Sequence, residues 1–177
     1  MHTNEKTSTL VVKNSVADFS ISGFQSTGDL VIVTELKLFP DVQEDQNRLE
    51  ERSHVCKSLC EYATLIQQSM DGTPTDLSFI PIQLDSFSSF QQRVMTAARN
   101  IGYGSIVTYS KLALLAGSQN AVRAAATVMR KNRYPIIIPC HRVIRTNGEI
   151  GGYCGMQSGK TIELKRRLLR NEGVIIG

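Results

Sequence analysis

Ile136-Ile137-Ile138-Pro139-Cys140-His141-Arg142-Val143-Ile144-Arg145 is the stretch on which the reading of this chain turns. The β-branched apolar run predicts a buried strand, a rigid floor for the cysteine and histidine behind it. Pro139 fixes the turn that presents Cys140. A free cysteine has a pKa of about 8.5 and attacks only as thiolate. The imidazole of His141, directly or through a water, is placed to take that proton. An inert buried thiol is the commoner fate of a cysteine. The wedge between Pro139 and His141, with Gly151-Gly152-Tyr153 just downstream, favours a nucleophile.

Outward from this stretch the second half of the chain reads as helical. Ser88 is a candidate N-cap for a helix through about Ala98, with Phe90, Val94, Met95 and Ala98 inward. Ser110 is expected to cap a short helix, Lys111 to Ala116. Gly117-Ser118-Gln119 turns the chain, and Asn120 is expected to cap a helix to about Arg130. Helix, tight glycine turn, helix is the helix-turn-helix pattern. Thr161 is the expected cap of a last helix through Asn171, with Ile162, Leu164, Leu168 and Leu169 as its apolar stripe.

The first half reads differently. Thr9 to Val12, Asp18 to Ser22 and Leu30 to Leu36 have the residues of short strands, with Thr27-Gly28-Asp29 as a hairpin turn. From about Gln43 to Met70 the spacing becomes helical, Leu49, Leu59, Tyr62, Leu65, Ile66 and Met70 sharing a face. Asp71-Gly72-Thr73-Pro74 ends that helix, Thr73 to Ser78 reads as a linker, and Phe79 to Leu84 as a short extended stretch. The expected fold class is α+β: a small strand/helix domain over residues 1–78, then a mostly helical domain over 79–177 carrying a winged-helix-like DNA-binding element.

The 177 residues carry a net charge of +4, which hides a division. Residues 1–80 hold six basic and twelve acidic side chains; residues 81–177 hold fourteen and four. A basic half that also carries the Cys-His pair points to a polyanion as partner. No apolar run approaches a membrane span, and the polar start does not read as a signal peptide. The four cysteines, Cys56, Cys60, Cys140 and Cys154, do not have the pattern of a disulfide scaffold. Cys56 and Cys60, with His54 nearby, offer half a zinc site at most. Without a second pair they are expected to be buried packing thiols and no metal is expected.

From about Phe87 to Gly173 the chain resembles the O6-alkylguanine-DNA alkyltransferases, or methylated-DNA–protein-cysteine methyltransferases. The matching pieces are Phe90-Gln91-Gln92, Gly104 to Tyr109, Leu112-Ala113, Arg123, Met129-Arg130, Asn132, Pro135, Pro139 to Val143, Gly151 to Tyr153, Leu168-Leu169 and Glu172-Gly173. Before about residue 80 the match is only one of general layout.

The resemblance implies a role for each matched residue. Cys140 is the alkyl acceptor, His141 its base, and Glu172 the carboxylate that holds the imidazole. Asn132 ties the recognition helix to the active-site turn. Tyr109 crowds the target phosphate and donates to the base; Tyr153 is a pocket wall. Val143 supplies backbone contacts to the guanine amine. Arg123 fills the gap left by the extruded base, on a helix whose Ala121 and Ala124 allow close approach to DNA, and Arg130 serves packing or a phosphate. Cys154 stands where the family often has serine, whose backbone N–H faces the leaving oxygen. The stretch Gly155 to Lys160 is longer than in many relatives.

The activity so implied is single-turnover transfer of a methyl or other alkyl group from O6-alkylguanine, and O4-alkylthymine, in double-stranded DNA to Cys140. It needs base flipping and no cofactor, and the expected protein is a monomer that is not secreted, working in the cytoplasm and nucleoid of a prokaryote or the nucleus of a eukaryote. The rival readings are a non-catalytic alkylated-DNA lesion-binding protein and a winged-helix regulator. The intact Cys140 argues against the first, and the Cys-His pair with Tyr153 against the second.

Overall fold

The computed structural model describes residues 7–26, 30–39 and 57–176. Strands β1 (Thr7–Val12), β2 (Asp18–Gln25) and β3 (Val31–Phe39) form an antiparallel sheet with β2 in the centre. Phe19 lies opposite Leu38 and Ile21 opposite Leu36, so these side chains share one face. Helix α1 (Lys57–Met70) packs against β1 and β2 and buries Leu59, Tyr62, Ile66 and Met70. β2 and β3 run further than the sequence suggests. The expected strands end at Ser22 and Leu36, but β2 continues through Gly23 to Gln25 and β3 to Phe39, because the ladder between them outweighs the local break at Gly23, with a register shift at Ser22/Gly23. The expected hairpin turn Thr27-Gly28-Asp29 and the stretch from Gln43 to Cys56 lie outside the described residues.

The extended segment after α1 adds to the edge of β3: the N–H of Val33 donates to Pro81 O and that of Gln83 to Val33 O, both at 2.9 Å. Further along, Leu36 N–H donates to Arg133 O at 2.8 Å. The apolar core runs without a break from the sheet through α1 to the helices of the second half.

Helix α2 (Ser89–Arg99) opens with the expected Ser88 in a full capping box with Gln91. The other expected caps shift. The extended backbone of β4 (Val107–Thr108) runs directly into α3 (Tyr109–Leu115), so Thr108 is the cap, its hydroxyl accepting from Lys111 N–H at 3.1 Å. Ser110 lies inside the helix and bonds Thr146 instead, at 3.0 Å. α4 (Val122–Arg130) starts from Ala121 with no side-chain cap, one residue beyond Asn120. α5 (Lys160–Asn171) starts from Gly159, leaving Thr161 within its first turn.

Between α3 and α4 the chain turns at Gly117, φ 71°, with Ser118 N–H on Ala113 O and Gly117 N–H on Leu114 O. This double capture of the last carbonyls needs a left-handed residue just past the helix, which glycine supplies without strain. The helix-turn-helix thus stands as the sequence indicates.

The isoleucine run does not form a strand. Residues 134–138 make a tight buried turn: Ile138 N–H donates to Tyr134 O at 2.7 Å, Pro135 bridges Ile138, and Ile136 has φ 72°. Ile136, Ile137 and Ile138 are buried all the same. A short apolar run signals burial, and the same composition fits a strand or a turn. The strand comes later, as β5 (Val143–Ile144), paired in parallel with β4 through Val107–Val143 and Thr108–Ile144.

Candidate active site

Cys140 opens a single 3₁₀ turn, Cys140–Arg142, that links the isoleucine turn to β5. Asn132, just past α4, sets this geometry. Its amide Nδ2 donates to Ile138 O at 2.9 Å and to Cys140 Sγ at 3.2 Å, while its Oδ1 accepts from Tyr134 N–H at 2.9 Å. One side chain therefore ties the end of α4 to the turn that carries Cys140 and touches the sulfur. We predict that Asn132→Ala lowers stability by about 1–3 kcal/mol, the cost of buried groups left unpaired. Chemical denaturation measures this. The same substitution should shift the pH dependence of Cys140 alkylation by iodoacetamide to higher pH, because a donor to the sulfur is lost.

Cys140 is buried, yet its thiol lines an open cavity of about 310 Å³. Tyr109, Arg130, Arg145, Tyr153, Cys154 and Met156 line the same cavity. Burial pushes the thiol above its ordinary value; the Asn132 amide and the charge of Lys165 pull it back.

Behind Cys140 lies a buried ionic cluster. His141 Nε2 sits 2.8 Å from Glu172 Oε1. Arg142 grips the same carboxylate, Nε to Oε2 at 2.9 Å and Nη2 to Oε1 at 2.9 Å, while its Nη1 donates to Ile101 O at 2.6 Å. Gly104 N–H adds a contact to Oε2 at 3.3 Å. Burial on its own would raise the Glu172 carboxyl; the hydrogen bonds and charges of His141 and Arg142 outweigh it and hold the group at about 2. Burial pushes His141 below its ordinary value, so the imidazole is neutral at pH 7, although Glu172 opposes the shift. With Nε2–H donated to Glu172, the lone pair falls on Nδ1, which is buried and has no partner among the described residues. Cys140 Sγ bonds Asn132 rather than His141.

Sequence reasoning missed two charged residues here. Arg142 is the second ligand of Glu172. Lys165 is fully buried, its Nζ donating to Val143 O at 2.6 Å and Gly152 O at 3.3 Å. Burial depresses its pKa to about 8, against the opposing pull of Cys140 and Cys154. A signal existed: Lys165 stands on the α5 stripe with Leu164, Leu168 and Leu169, where a lysine has to be explained. The Val143 carbonyl expected to meet a guanine amine thus already holds an ammonium, leaving one lone pair.

The remaining candidates fall into two groups. Tyr109, the first residue of α3, lines the cavity, and burial pushes its hydroxyl up to about 12, so it stays a donor. Tyr153 is buried, its ring edge-on to His141 at 6.4 Å and its hydroxyl without a hydrogen-bond partner among the described residues. Cys154 occupies the first central position of a tight turn, Tyr153 to Met156, with φ 44° and Gly155 at φ 85° after it. These signs fit a type I′ turn, a place for Asn or Gly more than for cysteine. The second group is α4, where Ala125, Val128 and Met129 face inward and Arg123, Ala124, Thr127 and Arg130 outward, with Ala121 half-buried at its start. Cys60 is exposed on α1, a correction to its expected burial, because it faces away from the sheet. Cys56 and His54 lie outside the described residues.

Comparison with known proteins gives this geometry its relatives. Residues 89–174 match the family model described as 6-O-methylguanine DNA methyltransferase, DNA binding domain. A methylated-DNA–protein-cysteine methyltransferase of Methanothermobacter thermautotrophicus is 38% identical over 109 residues, 62% of this chain and 58% of that protein. One of Archaeoglobus fulgidus is 39% identical over 117 residues, 64% of this chain and 75% of that protein. A crystal structure of the Mycobacterium tuberculosis OGT in complex with DNA superposes with a TM-score of 0.69 at 26% identity, covering 93% of this chain and 92% of that one. The chain spans under two thirds of the Methanothermobacter relative and three quarters of the Archaeoglobus one. On these matches the chain belongs to the methylated-DNA–protein-cysteine methyltransferase family.

Proposed function

We propose that this protein repairs DNA by moving an alkyl group from O6-alkylguanine, and from O4-alkylthymine, onto Cys140, once per molecule. The observation that carries the reading is the Cys140 thiol at the floor of an open cavity, backed by a buried His141–Glu172 pair. The cavity volume lies at the low end of small-molecule pockets and suits a single base.

A base inside a duplex cannot reach Cys140, so the lesion is extruded at a cost of about a few kcal/mol, less for a poorly paired methylguanine. The exposed face of α4 supports docking on DNA: Arg123 is long enough to occupy the vacated stack, while Ala121 and Ala124 permit close approach and Arg130 meets phosphate. Tyr109 donates to the base, Tyr153 walls the pocket, and the backbone at Val143 and Cys154 faces the guanine edge.

A water passes the Cys140 proton to Nδ1 of His141, and Glu172 stabilises the imidazolium that forms. The thiolate attacks the alkyl carbon in line. The S–C bond forms as the C–O bond breaks, the electron pair stays with guanine, and the proton taken up by His141 passes to that guanine. The step needs no cofactor. A thioether is a poor leaving group and no neighbouring residue removes it, so each molecule acts once. All the groups named come from one chain, so a monomer suffices. No helix among the described residues is long and apolar enough to cross a membrane, and the reading places the protein with DNA, in nucleoid or nucleus.

The test uses a duplex with one O6-methylguanine and mass analysis of the Cys140 peptide. One methyl on Cys140 for each lesion lost is expected, and none in Cys140→Ala. Tight binding without a mass change would replace this reading with that of a non-catalytic lesion binder.

A further inference from the structure

Arg145 has no part in the chemistry above, yet its side chain lines the cavity that holds Cys140. It follows β5 and opens a short loop closed by Arg145 N–H on Glu149 O at 2.9 Å and Gly148 N–H on Arg145 O at 3.1 Å. The Ser110–Thr146 contact anchors the loop to α3. The stem of Arg145 lies against Gly151, φ 69°, where a Cβ would come within 3.3 Å of its Cγ. A side chain at Gly151 would push the arginine off the rim. The guanidinium reaches Glu149 Oε2 at 2.6 Å through Nη1 and Gln157 Oε1 at 3.3 Å through Nη2. Arg145 and Glu149 are both about half-exposed, so their pairing is open to competition.

We infer that Arg145 reads the phosphate beside the extruded nucleotide, and that Glu149 holds its place as an internal stand-in until DNA arrives. The inference rests on the proposed function and adds a residue to it. A base can enter the cavity only with its phosphodiester left at the mouth, where Arg145 sits on the loop and Arg130 at the end of α4. A carboxylate and a phosphate compete for the same guanidinium fork, and the phosphate carries further contacts with it. Gln157 keeps the fork aimed across the rim during the exchange. Arg145 is therefore a binding residue that distinguishes nucleotide in DNA from any small neutral reagent.

The test compares Arg145→Gln, which keeps most of the stem, and Glu149→Gln with the wild-type protein. Each is given an O6-methylguanine duplex over a range of salt and, separately, the neutral reagent iodoacetamide. In Arg145→Gln, methyl transfer from duplex should fall about tenfold, as for loss of a charge-assisted contact. The log–log salt slope of duplex binding should shrink by about 1. The rate of Cys140 carbamidomethylation should stay unchanged. Glu149→Gln should raise transfer from duplex about threefold at low salt, the scale of an exposed ion pair.

An equal fall with duplex and iodoacetamide would make Arg145 a structural latch and overturn the inference. So would an unchanged salt slope, or weaker duplex reaction in Glu149→Gln. Should Arg145→Gln not fold, the sign of the Glu149→Gln effect decides. Failure of the function itself would show in the wild-type protein, which would take no methyl at all.

Discussion

Glu172→Ala is expected to cost about 3–5 kcal/mol of stability, the scale for removing one partner of a buried ion pair. The reason is what remains. Arg142 would keep Ile101 O and the face of the Tyr103 ring but no carboxylate for its buried charge, and His141 Nε2 would lose its acceptor. Denaturant unfolding against wild type measures the loss. Transfer by whatever protein still folds should fall at least about 100-fold, because neither the tautomer nor the imidazolium of His141 is then supported. Glu172→Gln should recover part of the stability and little of the rate. A Glu172→Ala protein of wild-type stability would show that Arg142 finds another partner, and the cluster would lose its assigned importance.

The same cluster sets how the protein responds to acid. His141 is held below its ordinary value in the folded state, so the unfolded chain binds the extra proton first. Its contribution is complete above about pH 6.5 and declines as pH falls below that value toward the folded pKa. Glu172, held at about 2 against an ordinary 4.5, contributes in full above 4.5 and loses that contribution as pH falls through the range down to 2. Between about pH 4.5 and 2 the stability of wild type should therefore fall more steeply with pH than that of a Glu172→Gln reference, which lacks the second component.

Lys165→Met should act the other way, on chemistry more than on the fold. A buried ammonium with a depressed pKa is a cost to the folded state at pH 7. Its removal relieves that cost, while Val143 O and Gly152 O lose a donor. The two effects oppose each other, and net stability should change by less than about 2 kcal/mol. The thiolate suffers alone. Glu172 neutralises Arg142, which leaves Lys165, among the described residues, as the buried cation without a carboxylate, and its charge favours ionised Cys140. We predict at least a tenfold loss of methyl transfer at pH 7 and a rate–pH profile moved to higher pH, each pKa unit being worth about 1.4 kcal/mol. A slower rate with an unmoved profile would assign Lys165 to holding β5 against the Gly152 backbone and nothing more.

Much of this protein is legible in its residues taken in order. Ser88 announces α2 because a serine cap bonds within its own first turn, where the structure adds Gln91 to complete the box. Gly117 marks the break between α3 and α4 because a left-handed residue is needed there. Cys140 and His141 stand out because a thiol and an imidazole share one turn. Glu172 is reached only through the family resemblance, since a carboxylate 31 residues from its histidine looks like any helix-end residue.

What the order of residues decides is what neighbours in the chain decide: the cap of α2 at Ser88, the turn at Gly117, the apolar faces of α1 and α5, and the placing of a thiol beside an imidazole at Cys140 and His141. Tertiary structure alone decides that the isoleucine run is a turn, because the Asn132 amide and the Tyr134 backbone close it. It decides that Ser110 serves Thr146 instead of its own helix, and that Arg142 and Lys165 face inward. The physical reason is range. Propensity and capping act within a few residues, whereas the burial and pairing of a charge depend on groups that only packing brings within about 4 Å.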